Sequence, residues 1–337
     1  MAKLWPLRSK VCDVFVLMNS QAKAMLPSRH LCRVNLHRVR GAAGLVRWVG
    51  LVGLALGSGL CACAKAAPVS QFPDAPSALG RMKQTYACAS GVQGDGKLDH
   101  VSREGRIRGD VMMMAADPAR MRFDVVSPFG VLLATLTSDG ERFTFFDMQN
   151  GQFLHGPPEP CNIARLTQVR LPAHVLVKLL RGEAPLIVYE PSTATIEWSS
   201  SGYYEVRVRG KYETEQLVHL EPHPRDYSLP YHQQRVRVLR VRVMQRDYVH
   251  FDALLLDHER ARTMPARVDE LGIDPPVLPS GPACEAEVPR RIQMTVPYTG
   301  DDMRFRYEQV GLNPPLPEGV FTQPVPDGVR RRFVTCH

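Results

Sequence analysis

The sequence predicts a mainly β protein with a few helices, made for export, and three observations carry that prediction. Residues 120–147, RMRFDVVSPFGVLLATLTSDGERFTFFD, alternate apolar and polar positions between turn signals. Alternation resumes over residues 194–256, after a short stretch with helical period. An uncharged apolar run, WVGLVGLALGSGLCAC, fills residues 48–63 behind Arg38, Arg40 and Arg47.

That apolar run, at about 16 residues, is shorter than the roughly 20 that cross a bilayer, and its basic flank marks an export leader. Leu60-Cys61-Ala62-Cys63 resembles the bacterial lipobox, with Leu at −3 and a small residue at −1 before the cysteine that is diacylated. The resemblance makes Cys63 the lipidation site; Cys61 fits less well, because Leu60 would occupy the small position. The alternatives are a secretory signal cleaved near Ala64-Lys65-Ala66 and an uncleaved membrane anchor. The 47 residues ahead of the run are long for a leader, and Met25 is an alternative translation start.

The leader also owns the net charge of +8. Residues 1–63 hold nine Lys/Arg and one acid, Asp13, which leaves 33 basic and 33 acidic residues in the remainder. The body is therefore near neutral, and the basic balance is no argument for a nucleic-acid partner.

The domains expected are the leader with its long extension over 1–63, a flexible tether over 64–77, and a folded domain over 78–337. Residues 64–77, AKAAPVSQFPDAPS, are small and Pro-rich. Helical spacing of Leu79, Met82 and Tyr86 predicts a helix over 77–87. Residues 91–96, GVQGDG, read as a turn-rich approach to strands at 97–102 and 105–114, which Asp117-Pro118 closes. Strands follow at 123–127, 131–138 and 143–147, turned by Pro128-Phe129-Gly130 and Asp139-Gly140, and Asn150-Gly151 turns the chain into 152–155. Phe129, Val131 and Leu132 stand at or beside a bend, where polar residues are usual.

The period then becomes helical over 163–169 and 173–180, where Val175, Leu176, Leu179 and Leu180 form an apolar face and Gly182 is placed to stop the helix. Strands return at 194–198, 203–209, 215–220, 235–245 and 249–256. The phase slip at Val238-Leu239 marks a β-bulge. Arg235, Arg237, Arg240 and Arg242 read as a solvated strand face. A Pro-rich crossing precedes strands at 291–297 and 303–310, and the proline-punctuated end reads as an extended edge segment.

Cys88, Cys161, Cys284 and Cys336 follow the leader; an even number in an exported chain favours disulfides, with three possible pairings. No P-loop, GxGxxG, GxSxG, HExxH or EF-hand pattern is present, so neither an enzyme nor a cofactor is expected. The best metal-like cluster is His219, Glu221 and His223, which would share one face of an extended chain and suit zinc or copper in an envelope hydrolase. The competing reading is histidines in a connection, and no metal is expected.

The patches FDVVSPFGVLLATLTSDGERFTFFD, HVLVKLLRGEAP and MRFRYEQVGLNPPLPEGVFTQPVPDG together resemble the LolA/LolB superfamily of bacterial lipoprotein carriers and receptors. The resemblance covers residues 80–330 in outline. It implies an unclosed, curved antiparallel β-barrel of about eleven strands, with helices as a lid over an apolar cavity that holds acyl chains. The lipid anchor resembles the LolB type, an outer-membrane receptor facing the periplasm. Lipoproteins, and a periplasmic carrier that delivers them, are the partners implied. Phe129, Val131 and Leu132 then match the apolar loop that enters the membrane, and Leu176, Leu179 and Leu180 are candidates for the lid. Ala64 lacks the Asp that retains some lipoproteins in the inner membrane, which favours the outer one. The Pro-rich region 274–290 and the four cysteines depart from the family pattern. A sensor or scaffold that recognises envelope proteins on the same fold is the alternative.

Overall fold

The computed structural model describes residues 65–336 except 104, 264, 267, 269–275 and 277. Contacts divide the chain between Lys65 and Ala66, and the unit Ala66–His337 is built on one curved, unclosed sheet of fourteen strands. Helix α1 (Ala75–Tyr86) leads into β1 (Gly91–Ser102), β2 (Gly105–Ala116), β3 (Arg120–Val126), β4 (Leu132–Ser138), β5 (Phe143–Asp147) and β6 (Gln152–Gly156). Helices α2 (Pro160–Thr167) and α3 (Ala173–Arg181) interrupt the strands. The second run is β7 (Thr195–Ser199), β8 (Tyr203–Arg209), β9 (Thr214–Pro222), β10 (Val236–Gln245), β11 (Tyr248–Arg260), β12 (Glu287–Val296), β13 (Asp301–Leu312) and β14 (Arg331–Phe333).

The spatial order β14-β6-β5-β4-β3-β2-β1-β13-β12-β11-β10-β9-β8-β7 is two meanders joined where β1 meets β13. The strand count exceeds the eleven or so expected, because both meanders contribute more strands and β14 adds an edge. β14 pairs parallel to β6, so the sheet is not wholly antiparallel. At three residues β14 is too short for alternation to reveal, and the extended edge expected from the proline-rich tail lies just beyond that tail.

One face of the sheet is dry. Along β13, Met303, Phe305 and Tyr307 are buried while Arg304, Arg306 and Glu308 are exposed, the period-two pattern of a strand with one covered side. The phase slip at Val238-Leu239 is a register shift of β10 against β9.

The glycine-rich start of β1 is strand rather than turn. Gly96 faces Tyr307 in the β13 register, and a Cβ on Gly94 would lie 2.8 Å from the Tyr307 ring. A Cβ on Gly96 would instead meet the Arg306 carbonyl and the Phe305 ring, so Gly94 leaves the room that buried Tyr307 needs and Gly96 the room for its neighbours.

Helix α1 starts two residues before the predicted one, because Asp74 caps it by accepting from the Ser77 N–H at 2.7 Å. Leu79, Met82 and Tyr86 are buried as their spacing requires. Within the stretch read as a tether, the Val69 N–H donates to the Tyr227 carbonyl at 3.1 Å, and Phe72 is buried edge-on against Tyr204 and Tyr231.

The cysteines join as Cys88–Cys284 and Cys161–Cys336. The first ties the start of β1 to the segment before β12, and the second ties α2 to the C-terminal tail.

Antiparallel register sorts the turns onto two long margins of the sheet. The turns after β1, β3, β5, β8, β10 and β12 lie on one margin. Those after β2, β4, β7 and β9 lie on the other.

Candidate functional site

Helix α3 is the most apolar surface laid on the dry face. Leu176, Leu179 and Leu180 are buried there, against β3 and β12. Gly182 ends the helix with φ 88, a left-handed conformation, and its N–H bonds back to the Leu179 carbonyl at 3.0 Å. A Cβ at this position would also meet Pro289 at 2.9 Å, so the stop and the packing both require glycine.

Polar ties fasten the C-terminal end of α3. Arg181 is 2% exposed. It donates to Asp117 at 2.5 Å and to Glu183 at 2.8 Å, and also to the Ala89 carbonyl. The Tyr307 hydroxyl donates to the Leu180 carbonyl at 3.1 Å. Burial pushes the Tyr307 phenol far above its usual pKa, so it stays a neutral donor. The chain of causes runs from Gly94, through the Tyr307 ring it admits, to the carbonyl end of α3.

Between α3 and the sheet lies a cavity lined by Phe123, Leu176, Leu180, Ile292, Met303 and Phe305 among others. Its lining is apolar apart from Thr167, whose hydroxyl donates to the Ile163 carbonyl at 3.0 Å. The free space is about 40 Å³. Pockets that enclose small ligands hold roughly 300–1,000 Å³. The side chains of α3 thus fill most of the space they cover, and the helix lies packed on the sheet.

Phe123 connects this interior to the candidate loop. It shares the covered face of β3 with half-buried Val125, and β3 then ends in the turn Ser127-Pro128-Phe129-Gly130-Val131. The Ser127 N–H donates to the Val131 carbonyl at 2.8 Å, the Ser127 hydroxyl accepts from the Phe129 and Val131 N–H groups, and Gly130 takes φ 77. This fixed turn projects Phe129, which is 89% exposed, and Val131, 61% exposed. Leu132 is different: it pairs with Val126 at the start of β4 and is half-buried, because the strand begins one residue earlier than a fully apolar tip would need. Cys63 lies outside the described residues.

His219 and Glu221 alternate along β9, His223 follows just past its end, and the partners of all three lie elsewhere. His219 stacks on Tyr203 with centroids 4.3 Å apart and sits 3.4 Å from Glu205. Glu221 pairs with Arg237 at 3.4 Å, and His223 sits 3.4 Å from Glu287. Desolvation pushes both histidines below the usual imidazole range. Among the described residues, one group has donor atoms close enough for a metal, Glu159 with Cys161 and Cys336, and its two sulfurs form a disulfide. The arginine row on β10 is likewise engaged: Arg235 with Asp226, Arg237 with Glu287, and Arg240 and Arg242 with Asp252.

Tyr307 and Arg181 were not among the residues the sequence singled out. Met303, Phe305 and Tyr307 alternate in MRFRYEQV, which was a readable signal for a dry strand face. A lone arginine at a helix end carries none.

No family model matches the sequence, and no curated protein matches it. Among solved structures the fold is similar to a LolA-superfamily protein from Nitrosomonas europaea, at 14% identity and TM-score 0.46, covering 75% of this chain and 99% of the other. It is also similar to a DUF1329 family protein from Desulfovibrio piger, at 9% identity and TM-score 0.43, covering 72% and 94%. An outer-membrane lipoprotein-sorting protein domain from Vibrio parahaemolyticus matches at 9% identity and TM-score 0.41, covering 73% and 97%.

Proposed function

We propose that this chain is a non-enzymatic lipid-binding protein of the bacterial envelope, which receives or inserts lipoproteins by holding their acyl chains between α3 and the sheet. The observation that supports it is the dry cavity under α3, joined along β3 by Phe123 and Val125 to the exposed Phe129 and Val131. In this reading Cys63 carries the lipid anchor on the periplasmic side of the outer membrane, and a periplasmic carrier supplies the cargo. Phe129 and Val131, with Leu132 behind them, enter the bilayer.

The driving force is apolar burial, roughly 0.8 kcal/mol per methylene. With about 40 Å³ free, loading requires α3 to move off the sheet, which exposes the cavity lining for the acyl chain to cover. Native mass spectrometry of protein purified from bacterial membranes tests the reading. A bound lipid or lipopeptide is expected; a protein that neither carries one nor can be loaded with one sinks it.

The filled interior favours a second reading on the same fold, a sensor or scaffold that recognises an envelope protein without taking up lipid. A pull-down that recovers one stable protein partner and no lipid would select it.

A further inference from the structure

The sheet margin that carries Phe129 also carries aromatic side chains that the lipid-carrier reading leaves unused. Tyr212, Tyr248 and Tyr298 stand in or beside the turns after β8, β10 and β12, and are 82%, 40% and 67% exposed. Val188, 85% exposed, lies beside them, because its neighbour Tyr189 pairs with Gly210.

These turns form one continuous ridge. Gln245 donates to the Tyr212 carbonyl at 3.0 Å, and Arg246 pairs with Glu213 at 3.3 Å. The Tyr248 and Tyr298 rings lie 5.2 Å apart, and a Cβ on Gly300 would sit 3.4 Å from the Arg103 guanidinium. The tight turns on the opposite margin, Asp117-Pro118-Ala119, Asp139-Gly140-Glu141 and Ser200-Ser201-Gly202, have another chemistry, while the longer connections after β9 and β11 expose Leu229, Val268 and Leu278.

The backbone of the ridge is unusual as well. Tyr212 and Glu213 both take φ 57, and Arg246 takes φ 54. Tight hairpin turns place glycine or asparagine at such positions, and a bulky residue there is strained. The chain holds a tyrosine at an exposed tip where the turn itself disfavours one.

We infer that this ridge is a second bilayer-contacting surface, with Val188, Tyr212, Tyr248 and Tyr298 seated at the headgroup level of a membrane. The inference rests on the reading above, that the protein works at a lipid surface. Tyrosine joins an apolar ring to a polar tip and suits the boundary between headgroups and acyl chains. Lys211 and Arg103 flank the rings, have no carboxylate partner in an ion pair among the described residues, and match lipid phosphate. In the proposed reading Cys63, outside the described residues, carries the lipid anchor that holds the chain at a membrane. A protein partner would draw its affinity from enclosed pockets, whereas separate side chains on projecting turns suit a soft interfacial layer.

The test places a tryptophan on each lipid contact of the full chain, as Tyr298→Trp and as Phe129→Trp. Each variant is mixed with phosphatidylcholine and phosphatidylglycerol vesicles whose acyl chains carry bromine, a contact quencher. Fluorescence is read against the parent chain, which already holds Trp5, Trp48 and Trp198. Loss of the added emission in both variants, with a blue shift, is expected. Loss at position 129 alone overturns the ridge and leaves the lipid-carrier reading standing. Loss at position 298 alone supports the ridge and removes the loop. No loss in either overturns both.

Discussion

The Val69 N–H bonds to the Tyr227 carbonyl at 3.1 Å, which fixes the start of the folded body on the sheet margin opposite the Phe129 turn. The lipid anchor and the Phe129 loop, two of the three membrane contacts proposed for this chain, therefore leave the body at different ends. The tether between Cys63 and Val69 extends to about 20 Å. The ten residues of β10 alone span roughly 33 Å.

Lengthening the tether should consequently strengthen loop contact with the membrane that holds the anchor. Ten Gly/Ser residues inserted after Ala66 are expected to increase bromolipid quenching of the Phe129→Trp variant in protein reconstituted through its own anchor. Quenching that ignores tether length would mean that the loop meets a different bilayer.

At the loop itself, Phe129→Glu and Val131→Glu should leave stability within about 0.5 kcal/mol, since both side chains are exposed on a turn held by Ser127. Delivery of a labelled lipoprotein to vesicles should fall. Leu132→Glu is expected to lose stability as well, because Leu132 is half-buried at the start of β4. Thermal unfolding separates the two effects.

A buried cation fastens the end of α3. Arg181→Ala leaves Glu183 buried beside Lys178 alone and frees Asp117, and removal of one member of a buried pair costs about 3 kcal/mol. Denaturant unfolding measures that loss. Uptake of a fluorescent fatty acid should rise in the same variant, since the end of α3 is released; unchanged uptake would separate Arg181 from lid opening.

Gly94 of β1 acts on the same helix through Tyr307. Gly94→Ala drives a Cβ against the Gln309 carbonyl at 2.5 Å and the Tyr307 ring at 2.8 Å, and overpacking of this kind costs about 1–3 kcal/mol. Hydrogen exchange at the α3 amides should quicken, because the Tyr307 hydroxyl no longer reaches the Leu180 carbonyl.

Acid should loosen the body through its histidines. Desolvation, then the Arg237 charge, pushes His258 down to about 4 from the usual 6.5. The folded state holds the neutral ring, so its contribution is complete above pH 6.5 and is lost as pH falls from 6.5 to 4. About 2 kcal/mol is expected over that window, after allowance for partial exposure. His219 and His223, also pushed down, act in the same direction. His258→Gln should flatten the curve of unfolding free energy against pH, and an unchanged slope would assign it to other groups.

Local patterning by itself determined the two strand runs, the helix that stops at Gly182, the bulge after Val238 and the apolar turn at Phe129. Each follows from residues close in sequence, through side-chain period, turn chemistry or a left-handed stop. Tertiary structure alone decided what lies far apart. The pairing Cys88–Cys284 joins positions 196 residues apart, and β14 finds β6 through a register that three residues cannot announce. Gly94 and Gly96 read as turn residues because glycine commonly marks turns. They become strand by pairing with β2 and with β13, more than two hundred residues later, where Gly94 makes room for Tyr307. Val69 and Phe129 are likewise placed by tertiary structure, since antiparallel register, and no local signal, sends the tether and the loop to opposite margins.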